Sequence, residues 1–328
     1  MAETQTSGGD TAALHRFAMF AAGATFCLIF VGGLVTSTGS ALAVPDWPLA
    51  FGKLIPAWKG GIRFEFGHRV VAGFVVILTL ILMAWALRVE RRKWVRNTAL
   101  AAFGLIIVQA ILGGITVLFE LPLAIAVTHA ATAQAFFCVM VSLAIFTNPR
   151  WERTAHREEA PVRPALAVLA GITTAVIYAQ ILVGALMRHL GAGLVIPDFP
   201  LSFGQLIPPY WNEFILVNFA HRLGAIAVSA MVIWTVVRVL RTHADEAQLR
   251  RPALALILLL VLQVCLGALT IWSGRAVLPT TSHVAVGAAV LATSLTLTIR
   301  AYHIFGLPRH NAVEHASDRN VVAHRVSA

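Results

Sequence analysis

Long apolar stretches recur along the chain, separated by shorter polar connections. Eight of them lie at residues 17–37, 66–87, 98–118, 124–146, 165–187, 216–237, 253–273 and 281–302. Each is close to the ~20 residues that an α-helix needs to cross a bilayer. The pattern predicts an all-α integral membrane protein with eight transmembrane helices. Composition agrees: of 328 residues, 58% are hydrophobic and 12% charged, against about 25% charged in a soluble domain.

The formal charge of +10 raises nucleic acid as a partner, but its placement argues for topology instead. Basic residues crowd the connection after the second run (Arg88 to Arg96). They recur after the fourth (Arg150, Arg153, Arg157, Arg163), after the sixth (Arg238, Arg241, Arg250, Arg251) and in the tail (Arg309, Arg319, Arg325). In an eight-span chain these segments share one side, which the positive-inside rule makes cytoplasmic. Both termini are then expected inside, with no nucleic-acid role. Met1–Asp10 is polar and lacks a basic stretch, so the first apolar run is expected to stay as a span. Cys27, Cys138 and Cys265 all fall within runs and read as small buried apolar residues rather than disulfide partners.

The chain repeats itself. GSALAVPDWPLAFGKLIP at 39–56 returns as GAGLVIPDFPLSFGQLIP at 191–208. EFGHRVVAG at 65–73 matches NFAHRLGAI at 218–226, QAILGGITV at 109–117 matches QVCLGALTI at 263–271, and THAATAQA at 128–135 matches SHVAVGAA at 282–289. The offset drifts only from 152 to 154 residues. Such ordered similarity marks a duplication. Four spans per copy give both copies the same orientation. The expected organisation is a cytoplasmic tail at 1–16, a four-helix bundle at 17–146, a cytoplasmic linker at 147–164, a second bundle at 165–302 and a cytoplasmic tail at 303–328. The two bundles are expected to be tandem and pseudo-symmetric.

Twelve histidines are present. His15, His156, His243, His303, His310, His315 and His324 fall in inside loops, the tail or span ends, and His189 at an outer span end. All eight read as solvated surface. His68, His129, His221 and His283 differ. They begin the second, fourth, sixth and eighth spans, at similar depth near the outer face, and pair through the repeat. In an up-down-up-down bundle the second and fourth helices lie diagonally. Neighbouring axes are ~8–10 Å apart, so the diagonal is roughly 13 Å. A porphyrin with an imidazole on each face fits that gap. Gly32, Gly33, Gly113, Gly114, Gly184 and Gly267 would give the macrocycle room. Two zinc sites fit less well, because neither copy offers further ligands for a tetrahedral set.

The copies diverge beside the first histidine. Glu65, one turn before His68, corresponds to Asn218. An ionisable group at that depth is a candidate catalytic residue, although an acid in a first helical turn is also stabilised by the dipole. Arg69 and Arg222 follow the histidines and are candidate partners of heme propionates, or else interfacial anchors. Trp47 and Phe199, within PDWP and PDFP, either cap heme edges or rest in the headgroup zone, the latter being favoured. Gln109 and Gln263 are expected to bond between helices.

With these residues in view, the chain resembles the heme A synthases of bacteria and mitochondria. The resemblance runs over about 17–302 and rests on GGLVTSTGSALAVPDWP, EFGHR, VTHAATAQAFF, NFAHR and TTSHVAVGA. It implies an eight-span enzyme of the bacterial inner (plasma) membrane that oxidises the C8 methyl of heme O to the formyl group of heme A, for aa3-type cytochrome oxidases. By the same resemblance, His221 and His283 would ligate a resident heme b, His68 and His129 would face the substrate heme, and Glu65 would serve catalysis. Implied partners are an electron acceptor (a quinone or a redox protein), a heme O synthase and oxidase assembly proteins, with a homo-oligomer compatible. Some bacterial members carry an outer-loop cysteine pair, and this sequence has none there, which puts any thiol mechanism in doubt. Two rival readings are a di-heme b-type electron-transfer protein and a heme transporter. The carrier explains four histidines but not the Glu65/Asn218 difference. It would also stack its hemes across the bilayer, near both faces.

Overall fold

The computed structural model describes residues 8–153, 156–159 and 162–306. Among these it is all-helical, with eight helices long and apolar enough to cross a membrane. They are α1 (Gly8–Ser37), α2 (Ile62–Val89), α3 (Lys93–Leu118), α4 (Leu123–Phe146), α5 (Leu166–His189), α6 (Glu213–Thr242), α7 (Ala247–Trp272) and α8 (Val277–Phe305). The protein is a multi-pass membrane protein.

The chain turns sharply where the sequence supplies breakers. Gly60 adopts a positive φ just before α2. The Asn212 side chain caps α6 by accepting the Ile215 N–H at 2.8 Å. Pro252 lies inside α7, and the Gln248 carbonyl that its missing N–H leaves unbonded accepts from Arg300 at 2.9 Å. The short α2–α3, α3–α4, α6–α7 and α7–α8 connections make those neighbours antiparallel. The N-termini of α2, α4, α6 and α8 therefore gather at one end, called here the histidine end.

Contacts join α1, α2, α3 and α4 in a closed ring, and α5, α6, α7 and α8 in another. The rings meet through α1 with α8, α4 with α5, and α4 with α8. Arg188 on α5 donates to the Gly33 carbonyl (3.0 Å) and the Ser37 hydroxyl (2.8 Å) on α1. Thr281 on α8 donates to the same hydroxyl at 3.0 Å. Each ring has its own apolar core, and both cores lie toward the end opposite the histidines. The first includes Leu14, Leu78, Leu82, Val95, Ile106, Phe136, Met140 and Leu143. The second includes Leu166, Val232, Val236, Leu249, Leu256, Leu291 and Leu297. The large aliphatic side chains that fill that end give way to glycine and histidine at the other.

Several expectations are corrected. α1 begins at Gly8 rather than near 17, because Leu14 and Phe17 pack into the first core. α8 runs to Phe305, past the expected 302. His303 is not solvated: it stacks on Trp151, with ring centres 3.7 Å apart, and bonds the Trp151 carbonyl at 2.8 Å. His15 faces Asn148 at 3.4 Å, and His243 packs on Phe305. The cysteines are free, and Cys27 and Cys265 are exposed on the helix surface rather than buried. Residues 1–7, parts of the 147–164 linker, and the tail from 307 with Arg309, Arg319, Arg325, His310, His315 and His324 lie outside the described residues.

Candidate functional site

All four paired histidines stand near the N-terminal ends of the even helices, half-buried at the histidine end. Each presses on a glycine of the preceding odd helix. A Cβ placed on Gly32 would lie 3.2 Å from His68 Cε1, and on Gly113 3.2 Å from His129 Cε1. On Gly184 it would lie 2.9 Å from His221 Cε1, and on Gly267 3.1 Å from His283 Cε1. These four glycines make room for the imidazoles themselves, not for a macrocycle as expected. Gly114 receives something else. Its Cβ would fall 2.7 Å from Trp47 Cδ2, so one face of the partly exposed indole lies on the α3 backbone. Phe199 meets Trp272 edge-on, with ring centres 6.2 Å apart.

In the second ring the imidazole centres of His221 and His283 are 6.4 Å apart. Two iron–nitrogen bonds of ~2 Å each, with ~1 Å from each nitrogen to its ring centre, separate two axial imidazoles by ~6 Å. The spacing thus fits one iron between the pair. His283 Nδ1 donates to the Gln263 carbonyl at 3.1 Å. That acceptor holds the proton on Nδ1, so Nε2 carries the lone pair; it faces the Gln263 amide nitrogen at 3.4 Å, which a metal would displace. His221 Nδ1 lies 3.0 Å from the Gln180 amide nitrogen, which also donates to the His221 carbonyl at 2.7 Å.

In the first ring Nδ1 of His68 is buried without a hydrogen-bond partner. Gln109 crosses from α3 to donate to the His129 carbonyl at 2.9 Å, with its nitrogen 3.3 Å from Nε2. No cluster of three or more histidine, cysteine or acidic residues suited to a bare metal ion occurs among the described residues. Paired imidazoles without further ligands suit a metal whose equatorial positions are already filled, as in heme, better than zinc.

Glu65 is 3% exposed and its counterpart Asn218 is 2% exposed. One Glu65 oxygen accepts from Arg69 at 2.7 Å and the other from the Val44 N–H at 2.8 Å. Asn218 donates to the Ala192 carbonyl at 2.8 Å and accepts from Arg222 Nε at 3.0 Å. The same scaffold therefore carries an anion in one ring and a neutral amide in the other. Arg69 also donates to the Asp46, Leu49 and Val44 carbonyls, at 2.7, 3.0 and 3.2 Å. Arg222 donates to those of Leu201 and Ile196, at 2.7 and 3.1 Å. Both guanidiniums fasten the PDWP and PDFP loops over the histidine end.

Within each loop an aspartate ties the turn. Asp46 accepts from the Phe51 and Gly52 N–H groups at 2.6 and 2.8 Å. Asp198 accepts from Phe203 and Gly204 at 2.7 and 2.8 Å. These backbone donors, from Gly52 and Gly204 above all, hold both carboxyls below the ordinary aspartate range. The turn residues Phe51, Gly52, Phe203 and Gly204 all take positive φ, as a two-residue reversal requires. The sequence reading missed Gln180 as a site residue. The signal was available, since Gln180 aligns with apolar Leu28 four residues before the matched Gly184 and Gly32.

The fold and site define a polytopic membrane protein with two pairs of half-buried histidines, one pair spaced for a single iron. Residues 62–295 match the COX15-CtaA family, described as cytochrome oxidase assembly protein. The heme A synthase of Symbiobacterium thermophilum is 33% identical over 249 residues, covering 73% of this chain and 79% of that protein. The heme A synthase of Staphylococcus saprophyticus is 29% identical over 255 residues, covering 76% and 83%. That of Staphylococcus aureus strain Newman is 27% identical over 257 residues, again covering 76% and 83%. This chain belongs to the COX15-CtaA family.

Proposed function

We propose that this chain is a heme A synthase: an enzyme of heme A biosynthesis that oxidises the C8 methyl of heme O to a formyl group. The observation that carries the reading is Glu65, a buried carboxylate held by Arg69 and the Val44 N–H one turn from His68, where the second ring has Asn218. His68 and His129 hold the substrate heme O by its iron. His221 and His283 hold a resident heme b, supported by their 6.4 Å spacing. Heme b bound there supplies one-electron redox chemistry. The division into a substrate bundle at 17–146 and a cofactor bundle at 165–302 follows from this assignment.

The conversion of methyl to formyl takes up one water in net terms and releases four electrons and four protons. Oxidation and water attack give the alcohol. A second round gives the geminal diol, which loses water to leave the aldehyde. The electrons leave to an acceptor of the quinone or redox-protein class. Each oxygen of Glu65 keeps a lone pair beyond its present hydrogen bond. The carboxylate can therefore orient the attacking water, take its proton and face positive charge developing at the methyl carbon. Arg69 keeps it aimed by a charge-assisted bond. Contact of Arg69 and Arg222 with heme propionates would be made in exchange for loop carbonyls. The arginine-rich connections support a bacterial plasma membrane location with cytoplasmic termini and the histidine end outside.

The test is co-expression with a heme O synthase, followed by heme extraction. Heme A should accumulate, and Glu65→Gln should lower its formation by roughly 10²–10⁴-fold, the usual worth of a general acid–base group. Heme b alone would favour an electron carrier, and normal conversion by Glu65→Gln would remove the role given to that residue.

A further inference from the structure

The two rings differ in how their histidines are held. In the second ring both Nδ1 atoms have neighbours: the Gln263 carbonyl at 3.1 Å for His283, and the Gln180 amide at 3.0 Å for His221. In the first ring Nδ1 of His68, the counterpart of His221, has none. The Gln180 contact has a steric precondition. A Cβ on Gly224 would overlap the Gln180 side-chain oxygen, so glycine at 224 leaves the space in which this glutamine sits. At the corresponding positions the first ring has Leu28 and Val71, both packed with its apolar core. Glutamine with glycine has been exchanged for leucine with valine as a matched pair.

An imidazole that binds iron through Nε2 carries its proton on Nδ1, and that proton needs an acceptor. Gln180 offers one if its side chain pivots to present Oε1 to Nδ1, giving up the 2.7 Å bond its nitrogen makes to the His221 carbonyl. Such a bond fixes the ring plane and raises the basicity of the ligand, and its loss typically costs 10–100-fold in metal affinity. We infer that Gln180, seated in the space left by Gly224, is the positioning residue that fixes His221 for a permanently held heme. Its absence opposite His68 leaves the first pair open to a heme that arrives as substrate and departs as product. The inference rests on the assignment of resident and substrate sites proposed above.

The experiment uses the full-length protein in detergent. His68→Ala with His129→Ala confines heme b to the second ring, and transfer of heme to apomyoglobin gives its release rate. Gln180→Leu and Gly224→Val should each release heme roughly 10–100-fold faster. Gln180→Glu, which keeps the acceptor, should retain heme and lower its midpoint potential, whereas Gln180→Leu should raise it. In a His221→Ala background, Leu28→Gln with Val71→Gly should slow the release of heme O from the first ring. Release at the parental rate by both Gln180→Leu and Gly224→Val overturns the inference while leaving the site assignment intact. Heme retained in the second ring after His221→Ala overturns the site assignment and the inference together. If Gln180→Leu fails to accumulate, the potential of Gln180→Glu decides: lowered supports the role, unchanged overturns it.

Discussion

Replacing Gly184 by alanine tests whether the glycines exist to seat the imidazoles. The new methyl would lie 2.9 Å from His221 Cε1. Carbon atoms in ordinary contact sit ~3.5–4.0 Å apart, so the ring must retreat by at least ~0.6 Å, or α5 must move away from α6. Overpacking of this kind costs ~1–3 kcal/mol. If the strain falls on the iron bond, heme affinity drops roughly 5- to 150-fold, at 1.4 kcal/mol per factor of ten. The other cradles rank behind it: 3.1 Å at Gly267, and 3.2 Å at Gly32 and Gly113.

The assay is heme content per purified protein together with the rate of heme loss to apomyoglobin. Gly23→Ala, Gly73→Ala and Gly104→Ala are the controls, since nothing lies within 4 Å of a Cβ at those positions. There alanine should be neutral or gain up to ~1 kcal/mol of helix propensity. Gly184→Ala and Gly267→Ala should lose heme from the second ring. Gly32→Ala and Gly113→Ala should spare it and weaken substrate binding. Full heme retention by Gly184→Ala, or equal loss in Gly104→Ala, refutes the reasoning.

Gly114→Ala should expel the Trp47 indole, which sits 2.7 Å from the added carbon. Limited proteolysis should then cut the 45–56 loop faster than in the parent. Acid should loosen both loops: Asp46 and Asp198 titrate below their ordinary value of 3.8. Their stabilisation is therefore complete above that value and lost as pH falls through the lower folded one. Hydrogen exchange of the Gly52 and Gly204 amides should be flat from pH 7 to 5, once corrected for intrinsic rates, and lose protection only below about pH 4; loosening near pH 6 would contradict this. Arg188→Met should remove the bonds to Gly33 and Ser37 that join the rings. At ~1.5–3 kcal/mol for hydrogen bonds to a charged group, the thermal midpoint should fall measurably, and an unchanged midpoint would place the join elsewhere.

Much of the fold could be read from periodicity because each helix has to be apolar over ~20 residues wherever it faces lipid. That same uniformity hid the helix ends. Leu14 and Phe305 lie beyond the expected spans, and only packing against neighbours shows that they are helical. The four paired histidines stand out in the sequence because duplication repeats them in register. His303 was misread, since its partner Trp151 lies far away in sequence and only the folded linker brings them together. The glycines were noticed for the wrong occupant. A glycine in a helix announces a close approach without saying what approaches, and here it is the histidine ring. The bonds of Arg69 and Arg222 to loop carbonyls had no signal in the sequence, because the PDWP and PDFP loops reach them only in the fold.

The copies have diverged in opposite senses at two places around the same histidine. In the first ring an acid replaces an amide at 65, and an apolar pair stands at 28 and 71. In the second a neutral asparagine stands at 218, and glutamine with glycine at 180 and 224. A site that performs chemistry on a heme must let it in and out, so its ligands gain nothing from being fixed. It does need a charge aimed at the reacting edge. A site that only holds a heme needs the reverse: a fixed ligand, and no carboxylate beside the ring to desolvate. Glu65 with an unsupported His68, and Asn218 with a supported His221, are the two consistent combinations. Leu28→Gln with Val71→Gly should therefore slow product release without harming the chemical step, whereas Glu65→Asn should slow the step by roughly 10²–10⁴-fold and leave heme exchange intact.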